Sequence, residues 1–271
     1  MQASHDSLAG HLIDAVNARF IARDLERSFA KHGRNVKITI DLTGEGWPHD
    51  VSVDRGRNIY KITYSASARR RFVLPARHSL LAYLYWMDST PATVTRMTIN
   101  AGDGDSPSCA RFAPSAPRSK HVAIPDPHFF QHHAFQAERL RVPDTPAWET
   151  RSDQVVWRGG SNGPGQISID HADQDNPLVV PRMRLCLKVQ GDSRFDVRMV
   201  RIGADGGIWT EPARQVGLIG DHIAAASWLT RKYAIDIDGF SNTWSNFFIR
   251  MLLGCCAFQG RVPARLSSMV L

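Results

Sequence analysis

The segment from Tyr233 to Gly254 reads Tyr-Ala-Ile-Asp-Ile-Asp-Gly-Phe-Ser-Asn-Thr-Trp-Ser-Asn-Phe-Phe-Ile-Arg-Met-Leu-Leu-Gly, and it narrows the choice of folds more than any other part of the chain. Tyr233 to Ile237 has the composition of a buried strand, and Asp238-Gly239 is a strong turn signal. Ser241, Asn242 and Thr243 are all favourable N-cap residues. Phe247, Phe248, Met251 and Leu252 then follow helical spacing, and Gly254 supplies a stop. A strand, a polar turn and a helix in that order form the unit of a parallel α/β sheet. The helix N-terminus directs unpaired N–H groups and a positive dipole end toward the strand's C-terminal edge, where a diphosphate fits.

A second segment has the same logic. Val155-Val-Trp-Arg-Gly-Gly-Ser-Asn-Gly-Pro-Gly165 is an apolar strand running into Arg158 and then into glycines that allow backbone to approach a ligand closely. The spacing predicts Arg158 at a strand's C-terminal end, the usual ligand face of an open α/β sheet, with its fork suited to bidentate phosphate contact. No Gly-Lys-Ser/Thr follows, so the segment is not a P-loop, and the dinucleotide fingerprint spacing is missing. A Gly-rich turn with a surface arginine is the bland alternative.

The 271 residues suffice for one large or two small domains. Between the elements just described the alternation continues. A helical pattern spans about residues 11–31 and strands are expected at 36–42, 59–64, 72–74 and 93–99. An apolar helix is expected at 78–87 and a long connection at 106–120. The second half adds a strand at 154–157, a helix near 182–189, a strand at 195–202 and a helix near 221–230. The Pro-rich crossing from Val142 to Trp148 sets an expected boundary near 145, giving units 1–145 and 146–271. Strand and helix alternation predicts an α/β class with largely parallel sheets.

The four cysteines, Cys109, Cys186, Cys255 and Cys256, match no zinc spacing or disulfide framework, and are expected to be reduced and mostly buried. No apolar run approaches the roughly 20 residues of a membrane helix and no leader pattern opens the chain, so a cytoplasmic location is expected. A formal charge of +7 and a pI near 9.5 favour anionic partners. The basic residues are dispersed and no nucleic-acid-binding motif is present, which counts against nucleic acid as the partner. Arg69-Arg-Arg71 has two readings, a solvated charge run or peripheral contact with an anionic membrane surface.

Taken together, Trp157-Arg-Gly-Gly-Ser161, Lys232 through Ser245 and Leu253-Gly-Cys-Cys-Ala-Phe258 resemble the glycosyltransferase family that contains bacterial lipopolysaccharide- and capsule-modifying enzymes and the animal protein O-glucosyltransferases. Fainter similarity reaches Met97-Thr-Ile-Asn-Ala-Gly-Asp103 and Ile124-Pro-Asp-Pro127, so the resemblance covers roughly residues 90 to 258. It implies a GT-B fold, two Rossmann-like units facing a cleft. It also implies metal-independent, inverting transfer from a UDP-sugar to a glycan or lipopolysaccharide acceptor, at the inner face of the membrane, with no further cofactor. Asp103 would be the catalytic base. Arg158, Gly159 and Ser161 would hold the donor with Ser241, Asn242, Thr243, Trp244 and Ser245. The animal members have an arginine near the position of Ser245; Arg250, one turn on, is the substitute or else an exposed helix residue. The segment after Phe258 matches none of the family's continuation, so the second unit is expected to be truncated, and an inactive remnant that only binds UDP-sugar or a partner is the alternative.

Other chemistries have partial signals in the residues. Asp103-Gly-Asp105 and Asp236-Ile-Asp238 have the triplet spacing of a manganese-dependent glycosyltransferase, although Asp236 alternates with buried-looking isoleucines. His128, His132 and His133 form a second candidate metal group if they share a helix face, with no nearby carboxylate or cysteine to complete it. No Gly-x-Ser-x-Gly elbow accompanies Ser161, Ser241 or Ser245, which argues against a serine hydrolase. Trp157, Phe240 and Trp244 are candidates for stacking on uracil or sugar, or for the core.

Overall fold

A computed structural model describes residues 8–67, 80–102, 107–114, 121–203, 208–239 and 245–260. The chain is mixed α/β and divides into two compact units, Met1–Gln131 and His132–Leu271. The division thus precedes the Pro-rich crossing at 142–148. Among the described residues no helix is long and apolar enough to cross a membrane.

In the first unit, α1 (Leu8–Lys31) turns Ile21, Leu25 and Phe29 to one side, four residues apart. It ends in a Schellman cap. Gly33 has φ +73, and the amides of Gly33 and Arg34 reach the carbonyls of Ala30 and Phe29. Strands β1 (Lys37–Gly44), β2 (Asp50–Arg55) and β3 (Ile59–Ser65) follow, then the helical residues 80–88 (α2). Strands β4 (Arg96–Asn100), β5 (Phe112–Ala113) and β6 (Val122–Ala123) complete the sheet, in the order β1-β3-β2-β4-β5-β6. The pairs β1/β3, β4/β5 and β5/β6 are parallel, whereas β2 runs antiparallel to both β3 and β4. One face of this sheet, with Ile38, Val51, Val53, Tyr60, Ile62 and Ile99, packs against α1 and α2 through Phe29, Leu80, Tyr83 and Met87. The rows Ser52, Thr63, Thr98 and Asp54, Lys61, Arg96 lie on the opposite, polar face.

The short helix α3 (Pro127–Gln131) closes the first unit, and the second begins with the short helix α4 (Gln136–Arg139). Its sheet contains β7 (Ser152–Gly160), β8 (Phe195–Arg201), β9 (Arg231–Ile237) and β10 (Cys256–Gly260) in the order β10-β9-β7-β8, and every pair is parallel. Helices α5 (Pro181–Lys188), α6 (Thr210–Gln215) and α7 (Ser245–Leu252) lie on the connections. The α5 residues Met183, Cys186 and Leu187 and Ala213 of α6 pack on one sheet face with Trp157, Val197, Met199 and Ile237. Val156 and Ala234 cover the other face, against Trp228, Leu229, Ile249 of α7, Leu253 and Cys255. A parallel sheet covered on both faces is the doubly wound arrangement, which explains the continuous apolar character of β7 and β9.

Two expectations need correction. The helix foreseen at 221–230 is a 3₁₀ stretch, Ala225–Thr230, and the α-helix of that connection is the earlier α6. Only two of the four cysteines, Cys186 and Cys255, are buried; all four are free thiols. The strand foreseen at 72–74 and the Arg69-Arg-Arg71 run lie outside the described residues.

Candidate functional site

Strand β7 is the first of the second unit, and its two neighbours are the second and third, β8 and β9. The chain therefore leaves β7 in one direction across the sheet and returns on its other side. The carboxyl ends of β7 and β9 flank the resulting crevice, where open α/β sheets place their ligands. Both segments singled out in the sequence, the glycines after Arg158 and the Asp238-Gly239 turn, lie at those two ends.

Backbone contact joins them. A Cβ built on Gly163, whose φ is +140, would lie 3.8 Å from the Cα and carbonyl carbon of Gly239. A Cβ on Gly239 would lie 3.3 Å from the Asn162 carbonyl oxygen and from Nη2 of Arg182. Arg182, on the first turn of α5 after Pro181, staples the two turns: Nε and Nη2 donate to the Ile237 carbonyl at 3.1 and 2.6 Å, and Nη1 donates to that of Gly160 at 3.2 Å. Burial lowers the Arg182 pKa from its ordinary value, and the charges of Asp236 and Asp238 oppose that shift. Gly165 is required as glycine. Its φ is +127, and a Cβ there would fall 2.7 Å from the Val180 amide nitrogen.

The arginine that the sequence placed at the end of β7 has another engagement. Arg158 donates from Nη2 to the Asp196 carboxylate at 2.8 Å, from Nη1 to the carbonyls of Trp157 and Asp196, and from Nε to that of Asp221. Its side chain is 10% exposed, so the fork is directed toward β8 and the 221 turn. Ser161, just past the carboxyl end of β7, accepts at Oγ from the Gly203 amide beyond β8 at 2.8 Å. Gly159 is fixed by its neighbour, since a Cβ would meet the Trp157 ring at 2.5 Å. Trp157 is a core residue, 1% exposed.

Ser245 is the first residue of α7 and is half-buried. Ser241, Asn242, Thr243, Trp244, Phe240 and Asp103 lie outside the described residues. Arg250 is corrected from an exposed helix residue to a buried one: it is 4% exposed, pairs with Asp236 at 3.2 Å and donates to the Ile235 carbonyl at 2.7 Å. Its guanidinium lies 4.6 Å from the Trp228 ring centroid. The pair ties α7 to β9 and leaves Asp236, 3% exposed, turned into the protein instead of toward a diphosphate-bound metal.

The histidine group also separates. Helix α3 stops at Gln131, and His133, Ala134 and Phe135 have φ values of 48, 55 and 57, so the three histidines do not lie on one continuous helix. No cluster of three or more His, Cys, Asp or Glu suited to a metal ion occurs among the described residues. Two arginines near the carboxyl ends of these strands escaped the sequence reading, Arg182 and Arg201. A Pro-Arg start to α5 and a basic residue closing β8 were the available signals. No protein-family model matches the chain, and neither a curated protein nor a solved structure is significantly similar to it.

Proposed function

We propose that the crevice between β7 and β9 binds the diphosphate of a UDP-sugar, and that the chain is an inverting glycosyltransferase of GT-B type acting on a glycan or lipopolysaccharide acceptor. The observation that carries this reading is the direct approach of the 159–165 and 238–239 turns at the switch point of an all-parallel sheet. Amides of the glycine turn and of the start of α7, with Ser241 to Ser245, surround the phosphates. Arg182 and the Asp236–Arg250 pair hold those backbones in place.

In the reaction, the acceptor oxygen attacks the anomeric carbon as Asp103 takes its proton, and the bond from that carbon to the diphosphate oxygen breaks. Charge grows on the departing diphosphate. Fixed N–H dipoles directed at that point stabilise it without reorganisation. Calorimetric titration with UDP and UDP-sugars, with and without manganese, tests the reading together with a transfer assay. Asp103→Asn should retain UDP affinity and lose transfer. Full activity in that variant, or no UDP binding by the wild type, would refute the proposal, and binding without turnover would reduce the chain to a sugar-nucleotide-binding protein.

A further inference from the structure

We infer that Arg201 is the side chain that meets the anionic group of the ligand in the β7/β9 crevice, the role that sequence pattern gave to Arg158. This rests on the reading of the crevice as a diphosphate site. Strand β8 pairs regularly with β7 up to Gly159 and Met199, but the next pair is Gly160 with Arg201. Val200 is an extra residue, a bulge of the kind that redirects a side chain at a strand end. Its effect is visible in the burial pattern: Met199 is 0% and Ile202 1% exposed, whereas Arg201 between them is exposed. Two core anchors three residues apart break the strand's alternation and turn the arginine outward.

The neighbouring backbone accommodates this side chain. A Cβ at Gly160 would lie 3.6 Å from Cγ and 3.5 Å from Nε of Arg201, so the arginine stem runs over the glycine at the carboxyl end of β7. The hydrogen bond from the Gly203 amide to Ser161 Oγ fixes the two chains just beyond it. Among the described residues Arg201 has no ion-pair partner, in contrast to Arg158 with Asp196 and Arg250 with Asp236. An uncommitted guanidinium beside the glycine at the carboxyl end of β7 can reach across it to a phosphate and is suited to bidentate contact.

The test is calorimetric titration of the full chain and of Arg201→Gln and Arg198→Gln with inorganic pyrophosphate, UDP and ADP. Arg198 is the control, because it removes the same charge from the same strand while its Nε lies 3.7 Å from Asp196. Arg201→Gln should weaken pyrophosphate and UDP roughly tenfold to a hundredfold, the loss of charge-assisted hydrogen bonds, while Arg198→Gln changes affinity less than about twofold. Unchanged affinity in Arg201→Gln, or equal losses in both variants, would overturn the inference. Binding of pyrophosphate through Arg201 with no preference for UDP over ADP would leave this assignment standing and refute the UDP-sugar reading. Failure of the wild type to bind any of the three would overturn both.

Discussion

Replacing Arg158 with methionine separates the two roles that this residue can have. The guanidinium makes four hydrogen bonds, one of them to a carboxylate that is only 17% exposed, and the arginine itself is 10% exposed. Removing one partner of a buried ion pair costs about 3–5 kcal/mol, because the remaining charge stays desolvated. Here Asp196 keeps Arg198 at 3.7 Å and Arg231 at 4.0 Å, so the expected loss is smaller, about 2–3 kcal/mol. With a urea m-value of about 2–3 kcal/mol/M, the midpoint should fall by roughly 1 M. Equilibrium urea unfolding followed by tryptophan fluorescence measures this, since Trp157 and Trp228 are buried in the same unit. UDP affinity, measured well below the midpoint, should stay within about twofold of wild type. A variant of unchanged stability that has lost UDP binding would refute the reasoning and return Arg158 to the phosphate.

The Asp236–Arg250 pair should behave similarly: Arg250→Met should cost about 3–5 kcal/mol in urea unfolding, and Asp236→Leu combined with it should recover much of that loss. If the double variant is no better than the single, the two charges are not coupled. Thiol labelling of the native chain should be fast at Cys109 and Cys256 and protected at Cys186 and Cys255; equal rates at all four would contradict the packing. Burial pushes the Cys186 thiol up to about 12, so the unfolded chain releases this proton first. Its contribution to stability is complete below the unfolded pKa, near 8.5, and is lost as pH rises toward 12. Urea midpoints should accordingly decline above about pH 9, and Cys186→Ala should flatten that decline.

Periodicity made some elements legible and concealed others. The i, i+4 spacing of Ile21, Leu25 and Phe29 and the apolar runs of β7 and β9 are one-body signals, set by which face each element buries. Strand β2, Asp-Val-Ser-Val-Asp-Arg, was missed because half of its residues lie on the polar sheet face and charges close both ends. Near 221–230 the apolar content was real, but it belongs to the 3₁₀ residues Trp228 and Leu229 covering Val156.

At the site, the glycines and the Asp-Gly turn could be read locally, because φ restrictions act on single residues. The fate of each arginine could not be. Arg158, Arg182, Arg201 and Arg250 differ in what packs beside them, namely Asp196, two strand-end carbonyls, a glycine and Asp236. Those neighbours come from strands and helices far apart in sequence, and the bulge at Val200 that turns Arg201 outward exists only against β7.

The most direct test of the diphosphate crevice is amide chemical-shift mapping of the ¹⁵N-labelled chain during titration with UDP. Gly159, Gly160 and Gly163 should shift together with Gly239 and Ser245 along one saturation curve, because both turns contact the same ligand. Shifts confined to one turn, or centred on residues away from the carboxyl ends of β7 and β9, would contradict the account.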